Sequence, residues 1–225
     1  MRKEKTIKGE YYRLSNCGNV SLPIFRDEED YTRFLFLIVH LQSPIIFNHL
    51  SRPLPYFKKH GVFKTSEYTA KAIAKSRYVE LVCFAVTSSR FDMVVRETRD
   101  DGIPYFMHRI QNAYSKFFNA KYKRRGHVFR GPYECKLVAD KNQLAHVSAF
   151  LHTRPASLPE WKGREAEYPW SSYQDFDKNR WGFLLVHEAV TDRFNNERDY
   201  KRFTEHPSLK ERKRILGTDH LIGAL

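Results

Sequence analysis

The spacing of apolar residues along the chain switches between a strand period and a helix period. Lys8 to Leu14 is a Tyr-rich strand candidate, closed by the turn chemistry of Ser15-Asn16-Cys17-Gly18-Asn19. Acidic residues from Asp27 to Asp30 suit a helix N-terminus, and Phe34, Leu35, Leu37, Ile38 and Leu41 predict a mostly buried helix over Tyr31 to Leu41. From Tyr78 to Thr87 the apolar run is almost continuous, as in a covered central strand. Ser88-Ser89 reads as a tight turn, and Arg90 to Glu97 as the returning strand. Alternation puts Arg90, Asp92 and Val94 on one of its faces and Phe91, Met93 and Val95 on the other. After Gly102 the spacing becomes three and four: Phe106, Met107, Ile110, Ala113, Tyr114, Phe117 and Phe118 form one helical stripe. Basic residues and Gly126 suit that helix's end. A short strand, Glu134 to Val138, and a helix, Asn142 to Leu151, complete the series; Pro155 stops the helix.

This order predicts an α+β fold: a ferredoxin-like βαββαβ antiparallel sheet with helices on one face, plus a C-terminal helical extension. Residues 8–158 read as one domain. Within it, 43–77 is an irregular or helical insertion carrying Pro44, Pro53 and Pro55, with a short helix over Ser66 to Ser76 capped by Thr65 or Ser66. Residues 159–225 read as an aromatic linker, extended from Pro159 to Tyr173, and a basic tail. Helices are predicted there at Gly182–Phe194, Glu197–Glu205 and Ser208–Leu216, with their Lys and Arg residues on a solvated face.

Charge sharpens the functional picture. Lys and Arg total 39 against 26 acidic residues, giving +13 and a pI near 9.6. A polyanionic partner follows: nucleic acid first, an acidic membrane surface second. No apolar run reaches 18 residues, so no membrane-spanning helix is expected, and the charged N-terminus lacks a secretory core. Cys17, Cys83 and Cys135 are odd in number and widely spaced, which fits a reducing, cytoplasmic setting and argues against structural zinc. The stretch after the central helix interleaves Lys121, Lys123, Arg124, Arg125, His127 and Arg130 with Tyr122, Phe129 and Tyr133, a composition suited to phosphates and bases. Arg90 and Asp92, side by side on a strand, are costly unless their face opens on solvent or a site. No P-loop, GxSxG or HExxH is present.

Five motifs, in order, resemble one family. They are Asn16-Cys17-Gly18-Asn19 with Pro23-Ile24-Phe25 and Asp27 to Tyr31; the strand Val79 to Val86; Tyr114 to Tyr122; Gly126-His127-Val128-Phe129-Arg130-Gly131; and Tyr168-Pro169-Trp170-Ser171-Ser172-Tyr173. Together they are similar to the IS200-like single-tyrosine transposases, nearest the branch associated with repetitive extragenic palindromes. The resemblance spans about residues 10 to 175. It implies a protein that cuts and rejoins single-stranded DNA through a tyrosine nucleophile, with Mg²⁺ or Mn²⁺ held by a His-hydrophobe-His pair and a polar residue one turn after the tyrosine.

Carried over position by position, that chemistry is missing. Arg90 and Asp92 stand where the family has its two histidines, Phe150 stands at the nucleophile, and Arg154 at the third ligand. No catalytic residue and no cofactor are therefore expected. Asp92 is left as a lone carboxylate for a hydrated Mg²⁺, or as a partner for Arg90 or Arg154. Tyr114 matches a scaffold tyrosine, and His152 reads as structural. The reading is a transposase-derived nucleic-acid-binding protein that has lost strand cleavage. Its expected ligand is single-stranded or hairpin DNA, with RNA open. Binding is assigned to Arg90, Lys121, Lys123, Arg124, Arg125, His127, Arg130 and Arg154, and stacking to Phe129, Tyr133 and Trp170. Two alternatives stay open: an active nicking enzyme using Asp92 and a relocated tyrosine, and a protein-interaction subunit of a nucleoprotein complex. Monomer and homodimer are equally open.

Overall fold

The computed structural model describes residues 5–19, 23–47 and 53–205. Four antiparallel strands, β1 (Tyr11–Cys17), β2 (Val79–Thr87), β3 (Arg90–Glu97) and β4 (Glu134–Val138), lie in the order β2-β3-β1-β4. With the intervening helices this is the ferredoxin-like arrangement. β1 begins and ends later than the sequence suggests. Ser15, Asn16 and Cys17 resemble a turn, but here they extend the strand because their polar groups find partners. Ser15 Oγ donates to Glu134 Oε2 at 3.1 Å, and Asn16 Nδ2 donates to the Gly131 carbonyl at 3.1 Å.

Two helices of the βαββαβ unit share one sheet face. α1 (Glu28–His40) is capped by Asp27, whose side chain accepts from Asp30 N. The excursion after it forms α2 (Pro53–His60) and α3 (Glu67–Lys75), the latter capped by Ser66. The prolines of α2 sit in its first turn, where their missing N–H costs nothing. α4 (Gly102–Lys121) starts where a side chain could not: a Cβ on Gly102 would lie 2.2 Å from the Tyr78 carbonyl oxygen. α1 and α4 bury Leu35, Ile38, Phe106 and Ile110 against Leu14, Phe84, Phe91 and Met93 of the sheet.

The opposite face carries a second core. There α5 (Lys141–His152) packs Leu144, Val147 and Leu151 with Val82 and Val94. The extension closes this layer. Instead of one extended run it makes 3₁₀ turns at Arg154–Ser157, Pro159–Trp161 and Glu165–Glu167. Its Trp170–Ser172 stretch then pairs with the β2 edge: Val86 N donates to Trp170 O at 3.0 Å and Ser172 N to Phe84 O at 2.9 Å. α6 (Asp175–Lys178), α7 (Glu188–Thr191) and α8 (Glu197–Glu205) follow. The helix expected over Gly182–Phe194 is broken. Leu185 is extended and buried, and Val186 N donates to Leu81 O at 2.8 Å, so tertiary burial outweighs local helix preference. The predicted Ser208–Leu216 helix lies outside the described residues.

His152 ties the layer together. Its Nδ1 is 2.7 Å from the Tyr200 hydroxyl and its Nε2 2.9 Å from Ser172 Oγ. Burial lowers its pKa to about 3, so the ring is neutral near pH 7. Among the described residues, no helix is long and apolar enough to cross a membrane.

Candidate nucleic-acid interface

The site grows out of strand alternation and register. On β3, Arg90 and Asp92 point toward the α5 side. Antiparallel pairing sets Cys17 opposite Arg90 and Ser15 opposite Asp92, which brings Arg13 onto the same face. The Asp92 carboxylate is fully buried. Its Oδ1 accepts from Arg13 Nη2 at 2.5 Å and Nε at 3.1 Å, and its Oδ2 accepts from Arg90 Nε at 2.9 Å. Arg154, just beyond the C-terminus of α5, brings its Nε to 3.0 Å from Oδ2. Three guanidiniums thus surround one carboxylate. Burial alone would push the Asp92 pKa up; Arg154, Arg13 and Arg90 overcome it and hold the group at about 2.

Phe150 completes the cluster. The guanidinium carbons of Arg13 and Arg154 lie 5.3 Å and 5.2 Å from its ring centroid, within cation–π reach. Phe150 therefore presents an aromatic platform for two arginines. Sequence reasoning anticipated that Asp92 would pair with Arg90 or Arg154. It pairs with both, and also with Arg13, which was missed. The signal was a lone Arg within the otherwise uncharged strand Tyr11–Cys17.

These residues do not fit a divalent cation. Both Asp92 oxygens are engaged by guanidiniums, and any ion beside them would meet three positive groups. Among the described residues, no group of three or more His, Cys, Asp and Glu side chains could hold a metal.

The basic loop after α4 runs alongside the exit of β1. Asn19 N donates to Val128 O at 3.1 Å, and Arg130 N donates to Cys17 O at 2.9 Å. Cys17 is the register partner of Arg90, so this pairing places the loop beside the Asp92 cluster. Lys123, Arg125, His127 and Arg130 are exposed there, while Arg124 is half-buried with its guanidinium 5.7 Å from the Phe118 ring.

Lys121, one of the expected phosphate-binding residues, has acidic partners within the protein. Its ammonium contacts Asp27 at 2.6 Å, Asp30 at 2.9 Å and Glu29 at 3.1 Å, and only 19% of the side chain is exposed. Its charge neutralises the acidic first turn of α1. The expected stacking residues also have partners within the protein. Phe129 is buried against Phe91 and Tyr114, and Tyr133 packs on the main core. Trp170 stacks on Tyr31 at 4.9 Å and on Phe57 at 6.0 Å. Phe129 is buried, while Tyr133 and Trp170 are half-buried.

No protein-family model and no curated protein matches the chain. Among solved structures, a REP-associated tyrosine transposase bound to a REP hairpin aligns with a TM-score of 0.49 and 13% identity, over 87% of this chain and 94% of that one. A likeness at that level carries no argument about what this chain binds.

Proposed function

We propose that this protein binds nucleic acid, single-stranded or hairpin DNA in the first instance, and does not cleave it. The observation that carries the reading is the gathering of positive charge at one end of the sheet. The exposed cations of the 123–130 loop lie beside a cluster in which three arginines surround one buried aspartate. Such a surface attracts a phosphate backbone irrespective of base sequence. The choice of DNA rests on the five transposase-like motifs.

The loss of cleavage is supported by Phe150 and by the two tyrosines of the motif at the end of α4. Phe150 has no hydroxyl. Tyr114 is buried, its hydroxyl donates to the Ile24 carbonyl, and burial pushes its pKa far up. Tyr122 donates to Asp30 Oδ2 at 2.7 Å, and burial together with that carboxylate raises it to about 12. None is poised to become a phenolate near neutral pH.

The test is an incubation with end-labelled hairpin and linear oligonucleotides in Mg²⁺ or Mn²⁺, read on native and denaturing gels. A retarded complex without a nicked or covalently attached product is the expected result. A 5′-phosphotyrosine adduct would overturn the loss of cleavage, and retardation of RNA but not DNA would overturn the choice of ligand.

A further inference from the structure

We infer that Asn16 and Asn119 are positioning residues for nucleic acid: their amide side chains hold the basic loop after α4 in its binding form before a strand arrives. The inference rests on the nucleic-acid reading above and extends it to two residues that act through the loop rather than on the ligand.

The loop's backbone is tied at its start, its middle and its end. At the start, Asn119 in the last turn of α4 works twice. Its Nδ2 donates to the Gly126 carbonyl at 3.0 Å, and its own carbonyl accepts from Arg124 N at 2.9 Å. In the middle, Asn19 N donates to Val128 O at 3.1 Å and Arg130 N to Cys17 O at 2.9 Å, with Val128 and Phe129 buried. At the end, Asn16 Nδ2 donates to the Gly131 carbonyl at 3.1 Å, and its Oδ1 accepts from Cys17 N at 2.8 Å. The Asn16 amide is thereby fixed to β1 and reaches across to the loop from a buried position.

The side chains between these ties are in the opposite state. Lys123, Arg125, His127 and Arg130 are exposed, and among the described residues none of their side chains makes a hydrogen bond or ion pair. The backbone that carries them is nonetheless held in an uncommon form. Lys123 sits at φ 50°, in the left-handed region, although it is not a glycine. Such a residue persists where its surroundings hold it, and such places cluster at ligand sites. The two Asn119 bonds, to Arg124 and Gly126, close the turn that contains it. The ties therefore fix the spacing of the loop's basic groups while leaving the groups themselves open to a ligand. A backbone ordered in advance removes an entropic cost that a strand would otherwise meet on binding.

The experiment measures fluorescence anisotropy of labelled hairpin and linear oligonucleotides across a salt series. The proteins are wild type, Asn16→Ala, Asn119→Ala, Gly126→Ala and Arg125→Gln, with Asn112→Ala as a control; thermal melts check folding. Gly126→Ala probes the backbone alone: its φ is 92°, and a Cβ there meets nothing within 4 Å. Asn112 is also on α4, but its side chain contacts His108 instead of the loop. We expect Asn16→Ala, Asn119→Ala and Gly126→Ala each to weaken binding about fivefold with the salt slope unchanged, because the phosphate contacts survive while their ordering cost rises. Arg125→Gln should instead lower the slope by about 1, and Asn112→Ala should match wild type. If Asn16→Ala fails to fold, Asn119→Ala and Gly126→Ala carry the test. Folded variants that bind as tightly as wild type would overturn the positioning role and leave the functional reading standing. A slope lowered by about 1 in the asparagine variants would also overturn it, since the amides would then touch phosphate themselves. If wild type binds no oligonucleotide, both fall.

Discussion

Two charge clusters in this molecule are near mirror images. Around Asp92, three arginines surround one buried acid. Around Lys121, three acids surround one half-buried lysine at the start of α1. The second arrangement closes on itself: the helix N-terminus already favours its carboxylates, and Lys121 and the Tyr122 hydroxyl satisfy the remainder. The first inverts the signs, with three cations gathered on one buried anion. A basic residue near a site is thus informative only once its internal partners are known, and the two clusters predict opposite responses to mutation.

The largest effect should come from Asp92→Asn, which removes the buried charge that three arginines share. We expect a loss of about 3–5 kcal/mol of stability in denaturant titration. A loss under about 1 kcal/mol would show that Asp92 is not the organiser of the arginine cluster. Acid comes next and separates that cluster from the buried histidines. Burial holds His40 at about 4 and His152 at about 3, below the ordinary 6.5. The unfolded chain therefore binds more protons below pH 6.5. Stability is complete above that pH and falls as pH drops, by about 1.4 kcal/mol per pH unit for each ring. Asp92, also depressed, adds its loss only between about pH 4 and 2. His152→Gln should remove one proton from the slope between pH 6 and 4.5; an unchanged slope would place the acid sensitivity elsewhere.

Lys121→Gln should cost about 1 kcal/mol, because its partners Asp27 and Glu29 are exposed and only Asp30 is buried. Oligonucleotide affinity should hold, and a tenfold loss would return Lys121 to the interface. Smallest in stability is Arg125→Gln or Arg130→Gln, within about 0.5 kcal/mol. Each should still weaken binding and lower the salt slope by about 1; a change in affinity with no change in slope would contradict phosphate contact.

Local pattern was enough for the element order, because each strand and helix of the sheet layer carries its own period. It was enough as well for the shared face of Arg90 and Asp92, which alternation dictates. It failed where partners are distant in sequence. Arg13 lies 79 residues from Asp92, and Lys121 lies 91 from Asp30. Nothing near either residue records the pairing. Phe129 and Tyr133 looked like free rings because their loop is basic, yet β1's exit draws them inward. The break at Leu185 reflects burial against β2, again a tertiary effect.

Arg13 has a further consequence during synthesis. β1 leaves the ribosome first, but its partners β3 and β4 follow some 79 and 119 residues later. At roughly 5–20 residues per second, the strand waits on the order of seconds for its neighbours. An uncharged Tyr-rich strand left waiting would be a template for pairing with other nascent chains. A guanidinium at its centre makes such pairing costly until Asp92 arrives. The residue that pairs with Asp92 in the finished fold therefore also guards the unfinished chain.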